Sequence, residues 1–271
     1  MRREIVVGFD GSPQSRTAVE WAARECGTGR AELTVCHVWD GPHAEREVAI
    51  AGQVRRLAGR TLIEGVELAE KLLPGRAVRS ILARGAPGPE LVSLSRAAEM
   101  LVVGRRGLGG VAGLLLGSVS SHVATHALCP VLAVRQADPA SPSSPGNVVV
   151  GVDGSICSVA ALRFALGHAR VHRLPVHVIH ARKDTSSRSG WEVEQWLAET
   201  VASLSGDRSG VAVTAGTVSG PPLPVLLAGS RQARLLVVGS RGLGALGSVL
   251  LGSVSRGVLH HAHGPVAIVR S

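Results

Sequence analysis

Two stretches of this chain are near copies of each other: VVGRRGLGGVAGLLLGSVSSH runs from Val102 to His122, and VVGSRGLGALGSVLLGSVSRG from Val237 to Gly257. The duplication constrains the fold more than any other feature, because it extends well beyond these stretches. VVGFDGS, Val6 to Ser12, recurs as VVGVDGS, Val149 to Ser155, at an offset of 143 residues. Later landmarks share an offset of 135: Gly85 with Gly220, Gly104 with Gly239, Gly117 with Gly252 and Arg135 with Arg270. The second copy is therefore eight residues shorter in its middle. Copies of about 130 residues far exceed the roughly 20 to 50 residues of solenoid repeats, so each copy owns a core. A chain of 271 residues accommodates two such domains.

Between the copies lies QADPASPSSPGN, Gln136 to Asn147, whose Pro, Ser and Gly content continues neither a strand nor a helix. The expected organisation is a first domain over 1–136, a linker over 137–146 and a second domain over 147–271. Within the first copy, apolar and β-branched runs at Glu4 to Gly8, Leu33 to Val38, Val78 to Ala83, Met100 to Gly104 and Val131 to Arg135 are strand candidates. The longer stretches between them are helix candidates. After GFDGS, Ser12 can cap and Pro13 can open a helix on which Ala18, Trp21, Ala22 and Cys26 share one face. Phe164 and Ala165 match Trp21 and Ala22 in the second copy. Strand and helix in alternation imply an α/β fold: parallel strands joined by right-handed crossovers, with helices on both faces of the sheet.

Composition narrows the class further. Hydrophobic residues at 45% and charged residues at 18% suit buried cores and not a disordered chain. No apolar run approaches the roughly 18 to 20 residues that span a bilayer, and MRRE leads straight into IVVGFD without a signal-peptide pattern, which reads as a cytoplasmic protein with no membrane partner. Cys26, Cys36, Cys129 and Cys157 have no CxxC spacing and read as ordinary buried thiols. The net charge of +9 is compatible with a phosphate ligand, but the arginines are scattered, Tyr is absent and aromatics are 2%, so no specific nucleic-acid platform is expected.

Each glycine-rich motif has the form Gly-x2-Gly-x9-Gly-Ser: Gly104, Gly107, Gly117 and Ser118 in the first copy, Gly239, Gly242, Gly252 and Ser253 in the second. Each starts at the end of an apolar strand and ends where a new helix begins. Glycine lets backbone approach a ligand or turn with positive φ, and a helix N-terminus presents unpaired N–H groups to an anion such as phosphate. The plainer alternative is that Gly104, Gly107 and Gly109 are turn residues and Ser118 a helix cap. Asp10, repeated as Asp153, stands at the carboxyl end of the first strand of its copy, where open α/β sheets bind ligands. An acidic side chain there can accept from ribose hydroxyls or help hold magnesium.

GFDGS, the Gly-x2-Gly-x9-Gly-Ser motif and the closing CPVLAVR together resemble the universal stress protein family, over essentially the whole chain outside the linker and as a tandem two-domain member. The resemblance implies two Rossmann-like domains of the adenine nucleotide alpha hydrolase type, each a five-stranded parallel sheet of order 3-2-1-4-5. It also implies ATP binding, with Mg2+ as an accompanying ion, and a role in stress response or regulation without strong catalytic machinery. The site residues it carries over are Asp10, Val38 as an adenine backbone contact, Gly104, Gly107, Gly117, Ser118 and Val119. In the second copy they are Asp153, Ala181, Gly239, Gly242, Gly252, Ser253 and Val254. The family further implies that the two halves form an intramolecular pseudo-dimer, with further homodimerisation compatible.

Arg105 departs from the small residue that the family commonly has and that Ser240 supplies in the second copy, so the first pocket is expected to be more crowded or more basic. A phosphate loop of the Gly-x4-Gly-Lys-Ser/Thr kind is absent, GFDGS is not a Gly-x-Ser-x-Gly nucleophile elbow, and Ser12 and Ser155 read as helix caps. His122 and His126 lie four apart without a completing carboxylate, and His37 and His180 recur at the end of the second strand of each copy as structural residues. Two other readings stay open at this point. One is a slow ATP-hydrolysing or adenylating enzyme, with Arg106 and Arg241 as its candidate cations; the other is a nucleotide-free interaction module.

Overall fold

A computed structural model describes residues 3–29, 31–40, 48–108, 116–135, 146–182, 190–205, 210–243 and 251–271. Gly109 and nearly all of the expected linker lie outside these residues. The chain divides into two compact units, Met1–Ala137 and Asp138–Ser271.

Unit 1 runs β1 (Glu4–Gly8), α1 (Pro13–Thr28), β2 (Glu32–Trp39), α2 (Val48–Leu72), β3 (Val78–Arg84), α3 (Pro87–Leu94), β4 (Met100–Gly104), α4 (Ser118–His126) and β5 (Val131–Val134). Its strands lie in the order β3-β2-β1-β4-β5, every pairing parallel. The centre of the sheet is buried on both faces, which is why β1, β4 and β5 read as unbroken apolar runs. Val6, Leu101, Val103, Val123 and Val131 form one core cluster against which Val38 and Val119 pack. α1 starts as its sequence implies: the Ser12 hydroxyl accepts the Ser15 N–H at 3.1 Å, Pro13 occupies the first turn, and Ala18, Trp21, Ala22 and Cys26 are buried. Past its end, Arg76 donates to the carbonyls of Cys26, which also accepts the Gly29 N–H, and of Gly29 and Ala31, tying the end of α1 to the segment that leads into β2.

Unit 2 repeats the plan with β6 (Asn147–Val152), α5 (Ile156–His172), β7 (Val176–Arg182), α6 (Gly190–Ser205), β8 (Val213–Ser219), α7 (Pro222–Gly229), β9 (Ala233–Gly239), α8 (Ser253–His261) and β10 (Val266–Val269). The strand order is β8-β7-β6-β9-β10, again all parallel. The shorter second copy shows itself in α6, 16 residues long against 25 for α2.

The copies have diverged by a paired exchange of size. In unit 1 a Cβ on Gly88 of α3 would lie 2.8 Å from the His122 ring on α4. At the same two places in unit 2, Leu223 on α7 faces Gly257 on α8, where a Cβ would lie 2.5 Å from Leu223 Cδ2. Each helix pair therefore keeps one bulky and one missing side chain, on opposite partners, which preserves the packed volume between them.

Candidate functional site

β1 and β4 are neighbours, with Val7 paired to Val102, so the residues that follow them meet at the carboxyl edge of the sheet. Asp10 is half-buried there. Gly11, with φ of 84°, turns the chain so that Asp10 Oδ1 accepts the Ser12 N–H at 3.0 Å. The other oxygen, Oδ2, accepts the Leu108 N–H at 3.0 Å, reaching across to the loop after β4, while the Asp10 N–H donates to Ser15 Oγ at 3.3 Å. Gly107 has no side chain because there is no room for one: a Cβ would stand 2.3 Å from Asp10 Oδ2. Burial pushes the Asp10 carboxyl up, but hydrogen bonds from Ser12, Ser15 and Leu108 outweigh it and hold the group below its ordinary value.

Unit 2 repeats the bridge. Asp153 Oδ1 accepts from the Ser155 N–H at 3.0 Å and its hydroxyl at 2.6 Å, and Oδ2 accepts the Leu243 N–H at 3.1 Å. Gly154 makes the turn with φ of 88°, and a Cβ on Gly242 would again lie 2.3 Å from the carboxylate. Burial, opposed by Ser155, Leu243 and Ser158, leaves this carboxyl lowered as well. The aspartates thus organise their own glycine loops. A carboxylate offers about four lone-pair positions, so acceptor capacity remains on each for a ribose hydroxyl or a magnesium ion.

The remaining motif residues divide by what they touch. Gly104 is required by packing, since a Cβ would meet Gln14 of α1 at 2.9 Å; Gly239 meets Cys157 of α5 at 2.8 Å. Gly117 and Gly252 are the N-caps of α4 and α8, and among the described residues neither receives a side-chain cap. Ser118 and Ser253 are the first helical residues, so the reading of Ser118 as a cap is corrected. Among the described residues, no motif glycine has positive φ; Gly117 and Gly252 stand at −77° and −60°. The sequence-based expectation of a left-handed turn belongs instead to Gly11 and Gly154, and the signal was their recurrence beside the aspartates. Ser15 and Ser158 were missed in the same way, although they too recur at the offset of 143.

Val119 packs on the core cluster and seats the start of α4, whose leading N–H groups lack intrahelical acceptors by the geometry of any helix. Ser118 and Ser253 are exposed, and Val254 is half-buried. Val38 and Ala181 lie in β2 and β7, paired with Ala83 and Val218, towards the carboxyl ends of those strands. Beside them His37 Nδ1 donates to the Phe9 carbonyl at 2.7 Å, and His180 Nδ1 to the Val152 carbonyl at 2.9 Å. A carbonyl only accepts, so the ring hydrogen sits on Nδ1 and each imidazole fixes the backbone just before its aspartate.

The basic residues also differ between copies. Arg105 is only 3% exposed; burial, then the like charges of Arg135 and Arg106, lowers its pKa to about 10, so it stays charged at neutral pH. Ser240 takes its place in unit 2, fully buried, with Oγ donating to Cys157 Sγ at 3.6 Å. Burial pushes the thiols of Cys26, Cys36 and Cys129 up to about 12. Cys157 departs from that expectation: burial raises it, but hydrogen bonds involving Ser271, Ser240 and Arg241 leave it lowered.

The model of the universal stress protein family matches residues 1–135 and again 145–270. The chain belongs to the universal stress protein family. It is 36% identical over 285 residues to a universal stress protein of Mycobacterium tuberculosis, an alignment covering 98% of this chain and 96% of the relative. A second universal stress protein from the same organism is 34% identical over 288 residues, with coverage of 98% and 96%. Among solved structures, a universal stress protein from Archaeoglobus fulgidus matches with a TM-score of 0.79 and 24% identity over 98% of both chains, a likeness of fold. This universal stress protein therefore carries two α/β domains of the family type, and among its described residues no helix is long and apolar enough to cross a membrane.

Proposed function

We propose that this universal stress protein binds ATP once in each unit and acts as a nucleotide-dependent regulatory protein of the stress response. One observation carries the reading: in both units the strand-end aspartate, the loop it holds and an uncapped helix start converge at one sheet edge. Asp10 and Asp153 face the ribose or an accompanying Mg2+. Ser118 and Val119, and Ser253 and Val254, offer backbone N–H groups to phosphates beside the caps Gly117 and Gly252, whose own N–H groups are held by the Arg105 and Ser240 carbonyls, and Val38 and Ala181 offer backbone to adenine. Gly107 and Gly242 serve indirectly, by admitting the carboxylate.

Calorimetric titration with ATP tests this. The parent is expected to show two sites, and Gly117→Val or Gly252→Val to remove one each. Both glycines have φ values open to any residue, but a Cβ would press on backbone, 3.3 Å from the Arg105 carbonyl for Gly117 and 3.4 Å from Arg241 Cα for Gly252, so circular dichroism establishes that each variant is folded before a lost site is read as lost binding. A folded double variant that kept the parent's affinity and stoichiometry would overturn the assignment.

A further inference from the structure

Residues 105 and 240 occupy one position in the two copies, and that position is wired to the helix start. The Arg105 N–H donates to the Val134 carbonyl at 2.7 Å, and its own carbonyl accepts the Gly117 N–H at 2.7 Å and the Ser120 hydroxyl at 2.9 Å. In unit 2 the Ser240 N–H donates to the Val269 carbonyl at 2.7 Å, and its carbonyl accepts the Gly252 N–H at 2.9 Å. The flanking cations are the same, Arg106 and Arg135 in one unit and Arg241 and Arg270 in the other. What differs is one buried positive charge. A guanidinium 3% exposed acts through a less polarisable medium than a surface charge and is screened less by salt, so its attraction for a neighbouring anion grows appreciably with each added phosphate charge. In unit 2 the neighbouring Cys157 thiol, hydrogen-bonded by Ser240, adds no cation.

We propose that Arg105 makes the unit 1 site selective for nucleotides of high phosphate charge, a triphosphate over a monophosphate, while unit 2, with Ser240 in its place, discriminates less. The inference rests on the nucleotide reading above. The two sites then report different things: unit 1 follows the charge state of the nucleotide pool, and unit 2 follows the nucleotide with less regard to its phosphate count.

The test uses the full chain with one site silenced at a time, Gly252→Val to leave unit 1 and Gly117→Val to leave unit 2, titrated calorimetrically with ATP and with AMP. The expected ratio of ATP to AMP affinity is about tenfold higher in unit 1, and Arg105→Ser brings it down to the unit 2 value. Serine is the residue of the second copy at this position; Arg105→Gln, which keeps length without charge, gives the same readout should the smaller side chain destabilise unit 1. Equal ratios in the two units, or a ratio unmoved by either Arg105 variant, would overturn the selectivity while leaving nucleotide binding intact. Absence of ATP binding at both sites of the parent would overturn both readings together.

Discussion

Gly107 and Asp10 are in contact to the exclusion of any side chain: a Cβ on the glycine would stand 2.3 Å from Asp10 Oδ2, and Gly242 stands in the same relation to Asp153. Gly107→Ala must therefore displace the carboxylate and break its bond to the Leu108 N–H. The expected cost is about 1 to 3 kcal/mol, the range for leaving a partly buried hydrogen-bonding group unmet. In an Asp10→Ala background the same glycine substitution should cost much less, because the atom it strikes is gone. Chemical denaturation of the four proteins of this cycle measures the coupling, and additive costs would refute the steric account.

The lowered Asp10 and Asp153 carboxyls set the acid behaviour. A carboxyl depressed in the folded state stabilises the protein above its ordinary pKa, here 3.8, and that contribution is lost as pH falls through the lower folded value. Parent and the Asp10→Asn, Asp153→Asn double variant should differ in stability at pH 6 and converge only as pH falls past 3.8 and through the lower folded values. Denaturation midpoints from pH 7 down to pH 2 will show it; a gap that stayed constant across that range would contradict it.

The size exchange between α3–α4 and α7–α8 predicts a specific rescue. Gly257→His in unit 2 should destabilise by about 1 to 3 kcal/mol through overpacking against Leu223. Adding Leu223→Gly rebuilds the arrangement of Gly88 and His122 and should recover most of that loss. Thermal unfolding of the single and double variants decides, and a double variant no more stable than the single one would count against the complementarity.

Turnover should be slow if ATP is hydrolysed. A carboxylate held below its ordinary pKa is a weak general base, and both strand-end aspartates are in that state. Phosphate release is expected to fall below the usual enzymatic range of about 1 to 1,000 per second. Multiple turnover within that range would favour the enzyme reading.

The sequence by itself determined the duplication, the two α/β units, the strands to within a residue or two of their ends, and the capping of α1 and α5 by Ser12 and Ser155. These features depend on local periodicity, on near-neighbour chemistry such as a hydroxyl three residues from an N–H, and on repetition, all of which are written along the chain. Tertiary structure alone decided what the glycines and aspartates do to each other. Asp10 and Leu108 are 98 residues apart, and Gly104 is a glycine because Gln14 packs on it from another element. The burial of Arg105 and the lowered Cys157 thiol are likewise set by neighbours brought in by the sheet. A motif spacing records that a residue is small or charged; which atom presses against it depends on strand order, because β1 and β4 become neighbours only after α1, β2, α2, β3 and α3 have been laid down between them.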